Sequence, residues 1–119
     1  MPMKKNGDIL IYVAGALNSD AVGYIKNLRK LNSWSIRLRK LGFCTFVPGN
    51  DFLEGLIAGN FEYRDYFENN QPVLDRSDGI FVTPHWENSE GTKKEIKRAE
   101  SKKVPVFYKV EHLIKHFKK

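Results

Sequence analysis

Gly79-Ile80-Phe81-Val82-Thr83 continues through Pro84-His85-Trp86-Glu87-Asn88-Ser89-Glu90-Gly91 into Thr92-Lys93-Lys94-Glu95-Ile96. A short apolar run closed by turn residues has the length and composition of a strand buried on both faces. The residues past Gly91 alternate charge and apolarity in the manner of an amphipathic helix. A strand therefore hands over to a helix through a turn rich in glycine and hydroxyl groups. The unpaired N–H groups at such a helix start form an anion site, and Glu95 lies four residues past Gly91, one turn inside the same helix.

The same strand-then-helix alternation extends in both directions. Ile9 to Val13 reads as a first strand ending in the tight turn Ala14-Gly15-Ala16, and Asn18, Ser19 and Asp20 are placed to cap a first helix. Val22, Ile25, Leu28, Leu31, Leu38 and Leu41 recur at helical spacing with basic residues between them, and Gly42 ends the helix. Phe43 to Val47 is a second strand, stopped by Pro48-Gly49-Asn50. Asp51 to Phe61, interrupted by Gly55 and Gly59, reads as an irregular crossover with at most a short helix, in a position to act as a lid. Glu62 to Arg76 is helical, with Pro72 requiring a break or a fresh start near Gln71. Thr92 to Lys102 is a helix, Val104 to Tyr108 a fourth strand, and Val110 to Phe117 a short basic closing helix.

Strands alternating with helices, joined by right-handed crossovers, predict an α/β fold. The expected form is a doubly wound, Rossmann-like or flavodoxin-like three-layer sandwich around a mainly parallel sheet of four to five strands. Ligands of such sheets sit beyond the carboxyl ends of the strands, where the strand order reverses. The turns at Ala14-Gly15-Ala16 and at Pro84 to Gly91 both lie on that edge.

A chain of 119 residues, 41% hydrophobic and 29% charged, fits a single domain over residues 1–119. Met1 to Asn6 is too short and polar for a signal peptide, and no apolar run approaches the roughly 20 residues of a membrane helix. The expectation is a cytoplasmic protein without a membrane partner. The lone Cys44, inside an apolar run, excludes an internal disulfide and reads as a buried, inert thiol. His112 and His116 stand four apart without the carboxylate of the H-E-x-x-H pattern, so no metal site is expected. The turn after the first strand lacks the dinucleotide fingerprint, and no nucleophile elbow is present. The net charge of +6 is concentrated in the late lysines and favours an anionic partner. Those lysines are not interleaved with aromatics as a single-strand stacking platform requires, which disfavours nucleic acid.

Each candidate residue also has a structural reading. Thr92-Lys93-Lys94-Glu95 fits a capping box, in which the glutamate serves only the helix start. Tyr12 is by default a core tyrosine satisfied through its hydroxyl, and Trp86 and His85 suit rim packing.

Taken together, Ile11-Tyr12-Val13-Ala14-Gly15, Leu74-Asp75-Arg76-Ser77-Asp78-Gly79-Ile80, Ser89-Glu90-Gly91-Thr92-Lys93-Lys94-Glu95-Ile96 and the Ala99 to Phe107 segment resemble the nucleoside 2-deoxyribosyltransferase superfamily. The likeness runs from Ile9 to Tyr108 and is to small phage and bacterial members, related to the deoxynucleoside monophosphate N-glycosidases. The resemblance implies cleavage of the N-glycosidic bond of a 2′-deoxynucleoside or nucleotide, without a cofactor. Glu95 would be the nucleophile that forms a covalent glycosyl-enzyme, resolved by water or a second base. Tyr12 would orient it, and Gly15, Asp78, Trp86, Ser89 and Gly91 would bind substrate, with Ser89 and Gly91 receiving a 5′-phosphate. It also implies a homodimer or higher homo-oligomer.

One position departs from the family pattern. Where the resemblance calls for an aspartate eight residues before Asp78, this chain has Asn70. An amide can hydrogen-bond a base but cannot protonate it, so Glu68, Asp75 and Glu87 are candidate substitute acids. The alternative is a non-catalytic nucleotide-binding protein of the same fold.

Overall fold

Strands that are apolar on both faces need a covering layer on each side, and the structure supplies two. It is a computed structural model that describes residues 8–17 and 21–118, apart from the side chain at position 63. The expected cap at Asn18, Ser19 and Asp20 and the segment Met1 to Asn6 lie outside the described residues.

The elements run in the order β1 (Leu10–Ala14), α1 (Ala21–Lys40), β2 (Cys44–Phe46), a 3-10 turn (Pro48–Asp51), α2 (Phe52–Ala58), α3 (Tyr63–Arg76), β3 (Gly79–Val82), α4 (Glu90–Ser101), β4 (Val106–Phe107) and α5 (Val110–Phe117). The described strands form one parallel sheet in the order β2-β1-β3-β4. Tyr12 stands between Phe46 and Ile80 in register. Alternation along the strands divides the core. Ile11, Val13 and Phe81 face α1 and α5, meeting Leu31, Leu38 and Leu113, whereas Tyr12, Ala14, Ile80 and Val82 face α3 and α4, meeting Leu74, Ile96 and Ala99. The fold is thus the expected doubly wound α/β sandwich, with its switch point between β1 and β3. Among the described residues no helix is long and apolar enough to cross a membrane.

Several local readings change. Gly42 does terminate α1, at φ 101° with its N–H on the Arg39 carbonyl. Pro72, however, does not break its helix: α3 continues through it to Arg76. Interior proline costs about 3 kcal/mol, and here the turn beyond it is anchored by the buried Leu74 and by a bidentate Asp75–Arg98 pair at 2.8 and 2.7 Å that ties α3 to α4. Cys44 is exposed rather than buried. It shares a strand face with Phe46, which packs on Tyr12, but it is the first residue of the edge strand β2.

Candidate active site

Parallel strands that run the same way place all their exits on one edge, and the reversal between β1 and β3 leaves a crevice there. At its floor the Thr83 N–H donates to the Ala14 carbonyl at 2.9 Å, holding the two strand ends together. Gly15 leaves β1 against Thr83: a Cβ at this position would overlap the Thr83 hydroxyl and come within 2.7 Å of Leu31 Cδ2. Only a residue without a side chain lets the chain pass so close.

Above this floor opens a cavity of about 620 Å³, within the usual range of roughly 300–1,000 Å³ for small-ligand sites. Gly15, Asn70, Ser89, Gly91 and Glu95 all line it, so five of the eight sequence-derived candidates converge on one space. Tyr24, Phe52, Phe61, Tyr66 and Phe67 give it an aromatic wall, the kind of surface on which a planar base stacks. Helix α2 contributes Gly55, where a Cβ would collide with the Tyr66 hydroxyl.

Tyr12 stands one layer below. Its ring is buried among Phe46, Ile80 and Ile96, and its hydroxyl donates to Glu95 Oε2 at 2.6 Å. The Glu95 residue keeps an accessible edge toward the cavity, yet its carboxyl is desolvated enough that burial pushes its pKa up to about 7. The Tyr12 hydrogen bond opposes that shift. A carboxyl group so placed changes its charge near neutral pH and is oriented by one strong hydrogen bond.

The capping-box reading of Glu95 does not survive. Ser89 is the N-cap of α4, its Oγ accepting from the Thr92 N–H at 3.2 Å and from the Thr92 hydroxyl at 2.9 Å. Thr92 is therefore the third helical residue, and Glu95 lies a turn beyond any capping position. The helix start, with Ser89 and Gly91, still faces the cavity, where N–H groups outside the helical ladder favour an anion.

Asp78 and Trp86 are not brought to the site. Asp78 lies before β3, at the opposite edge of the sheet, where its Oδ2 accepts from the Leu10 N–H at 2.7 Å and latches β1 to β3. Trp86 packs on Tyr108 with ring centroids 5.5 Å apart and does not line the cavity. His85 stands in the left-handed region at φ 68° within the exposed turn between β3 and α4.

The candidate substitute acids fare no better. Glu68 is exposed beside Arg64, Glu87 is exposed, and the Arg98 guanidinium holds the Asp75 carboxyl below its ordinary range, so that it stays ionised. The residue missed from sequence is Asp51, which lines the cavity beside Asn70. Its signal was topological: it closes the turn leaving β2, on the ligand edge.

Removing the Tyr12 hydroxyl tests the pair. A hydrogen bond to a charged group is worth about 1.5–3 kcal/mol, so Tyr12→Phe is expected to lower kcat/KM by roughly 10- to 100-fold. Because the hydroxyl favours the ionised carboxyl, its loss should also move the acid limb of the pH–rate profile upward, and an unmoved limb would show that the hydroxyl does not tune Glu95.

Residues 9–108 match the family model described as Domain of unknown function (DUF4406), and the chain belongs to that family. No curated protein matches it.

Proposed function

We propose that this DUF4406-family chain cleaves the N-glycosidic bond of 2′-deoxynucleosides or their 5′-monophosphates through a covalent intermediate on Glu95. The observation that carries the reading is the Tyr12–Glu95 hydrogen bond of 2.6 Å at the wall of an aromatic cavity. A nucleophilic carboxylate must be partly desolvated and fixed in orientation, and the buried Glu95 carboxyl, held by the Tyr12 hydroxyl, supports that role. The order of the Tyr12, Asp78 and Ser89-to-Glu95 segments, which resembles the nucleoside 2-deoxyribosyltransferase superfamily, supports the same chemistry. Ser89 and Gly91 at the start of α4 are the candidates to receive a 5′-phosphate, aided by the basic field of the late chain. A cytoplasmic nucleotide pool is the setting this reading implies.

Incubation with the four common deoxynucleosides and their 5′-monophosphates, with chromatography for free base, tests the proposal directly. Intact-mass analysis should show a deoxyribosyl adduct on Glu95. If no substrate yields base and no adduct forms, the reading fails.

A second reading is a nucleotide-binding protein without turnover, favoured by Asn70, whose Nδ2 donates to the Pro48 carbonyl at 3.4 Å and has no proton to give a leaving group. Calorimetric binding of a nucleotide without base release would select it.

Self-association belongs to the same proposal. Helix α2 buries none of its residues and exposes Leu53, Leu56 and Ile57, while Val22 and Ile25 are exposed on α1 beside the cavity. A second subunit covering this apolar ground would close the site. Light scattering should give a dimer or larger species at micromolar concentration. Ile57→Lys, at a residue 79% exposed, should shift it to monomer, and a monomeric native chain would remove the idea.

A further inference from the structure

We propose that Asp51 is the proton donor to the departing base, filling the role that Asn70 cannot; this rests on the glycosidase reading above.

Three observations place it. Asp51 closes the turn after β2, and it lines the same cavity as Glu95 and Asn70. It occupies the N-cap position of α2, where an aspartate ordinarily accepts a backbone hydrogen bond. Among the described residues its carboxyl makes no cap bond to the N–H groups of α2, so the capping duty of the position is unused. Finally, Asp51 Oδ1 and Asn70 Oδ1 are both buried without a hydrogen-bond partner among the described residues. Two orphaned acceptors side by side are costly unless hydrogens are supplied to them. With Asn70 Nδ2 held by the Pro48 carbonyl, its Oδ1 remains to accept from an amino or imino group of a base. A protonated Asp51 beside it is the complementary donor to a ring nitrogen.

The surroundings shift Asp51 toward its protonated form. Burial raises the Asp51 carboxyl above its ordinary range and the charge of Glu54 adds to this, while its own backbone N–H and the Asn70 amide offset part of the rise. Burial, and after it the charge of Asp51, raises the neighbouring Tyr24 hydroxyl. A base seated in the cavity excludes more water from Asp51 and moves its pKa further upward. Positive charge developing at C1′ acts in the opposite sense on Glu95 and favours its ionised form.

The step balances without a co-reactant other than water. A Glu95 oxygen bonds to C1′ as the C1′–N bond breaks; the bonding pair passes to the ring nitrogen, which takes the Asp51 proton. Water then attacks C1′, the Glu95–C1′ bond breaks, and the water proton returns to Asp51.

The test compares leaving groups that do and do not need a proton. A natural purine deoxynucleoside needs one, whereas 7-methyl-2′-deoxyguanosine carries a cationic base that departs neutral without it. Asp51→Asn is expected to lose about 10²–10⁴-fold in kcat on the natural substrate and less than about tenfold on the methylated one, with Asp51→Glu recovering part of the loss. Activity on the methylated substrate also certifies that the variant folds, and Glu95→Gln should abolish both reactions. Equal losses on the two substrates, or none on either, would overturn the role of Asp51 while leaving the glycosidase reading intact. If the native protein releases base from neither substrate, the glycosidase reading itself falls and the donor with it.

Discussion

Glu95→Gln is expected to abolish base release and, above neutral pH, to be more stable than the native protein. The first effect comes from nucleophilicity: an amide retains the hydrogen bond to the Tyr12 hydroxyl but cannot form a productive glycosyl ester. The second comes from linkage. Glu95 has an ordinary pKa of 4.5 in the unfolded chain and about 7 in the folded one, because burial disfavours its charge. Below pH 4.5 both states hold the proton and the site carries no penalty. Between 4.5 and 7 the unfolded chain ionises first, so stability declines as pH rises, and above 7 the full cost is present. That cost is on the order of 3 kcal/mol. The glutamine variant lacks this dependence, so its stability relative to the native protein should be unchanged near pH 4 and greatest near pH 8. Denaturant melts of both proteins at the two pH values check this, because their difference isolates one group. In the native protein kcat/KM should rise on the acid side as Glu95 ionises and fall on the alkaline side as Asp51 loses its proton. A variant that lost activity without gaining stability at high pH would show that Glu95 is not strained in its charged form, and a stored cost at the nucleophile would no longer be part of the mechanism.

The elements most legible in the sequence are those whose signals are local. The closing helix begins and ends where its apolar spacing indicates, at Val110 and Phe117, and Gly42 stops α1 at the position its left-handed conformation requires. Pro72 misled because a ring that costs one ladder bond says nothing of the Asp75–Arg98 anchor across the next helix, which is a tertiary fact. The cap of α4 is ambiguous in sequence, since Ser89 and Thr92 are both good caps three residues apart; the Oγ–N–H bond selects Ser89, and that choice alone separates Glu95 from a capping duty. For the site, residues that leave strand ends on the ligand edge were recognisable from topology, which is why Gly15, Ser89, Gly91 and Glu95 meet in one cavity. Asp78 belongs to a motif that points to the site, but it sits just before its strand, a full strand length from that edge. Asp51 has no motif around it, and nothing in the one-dimensional pattern indicates that two residues 19 apart, Asp51 and Asn70, share one wall.

Gly15→Ala is expected to damage both the fold and the activity, and the two losses share one cause. The new methyl would overlap the Thr83 hydroxyl and press on Leu31. Leu31 can yield, since the atom concerned is the far end of a side chain, but Thr83 is buried and its N–H is fixed to the Ala14 carbonyl. The strain must then be relieved by parting the ends of β1 and β3, at an overpacking cost of about 1–3 kcal/mol. Those strand ends set the spacing between Tyr12 on one side and the Ser89–Glu95 helix on the other. A displacement near 1 Å at a catalytic constellation costs roughly 10²-fold in rate, so kcat/KM should fall by about that factor. Thr83→Ala removes the overlapped oxygen and leaves only its Cβ, 3.3 Å from the added methyl, so the double variant Gly15→Ala/Thr83→Ala should recover most of the stability and part of the activity. Gly59→Ala supplies the contrast. That residue is left-handed at φ 79° with nothing within 4 Å of an added Cβ, so it should cost about 1 kcal/mol of backbone strain and leave the cavity floor untouched. If thermal melts show the two single variants equally destabilised and the Thr83 change without effect, conformational freedom rather than close approach is what Gly15 provides. The floor between β1 and β3 would then be free to move, and the fixed distance from Tyr12 to Glu95 would have to be maintained by α4 alone.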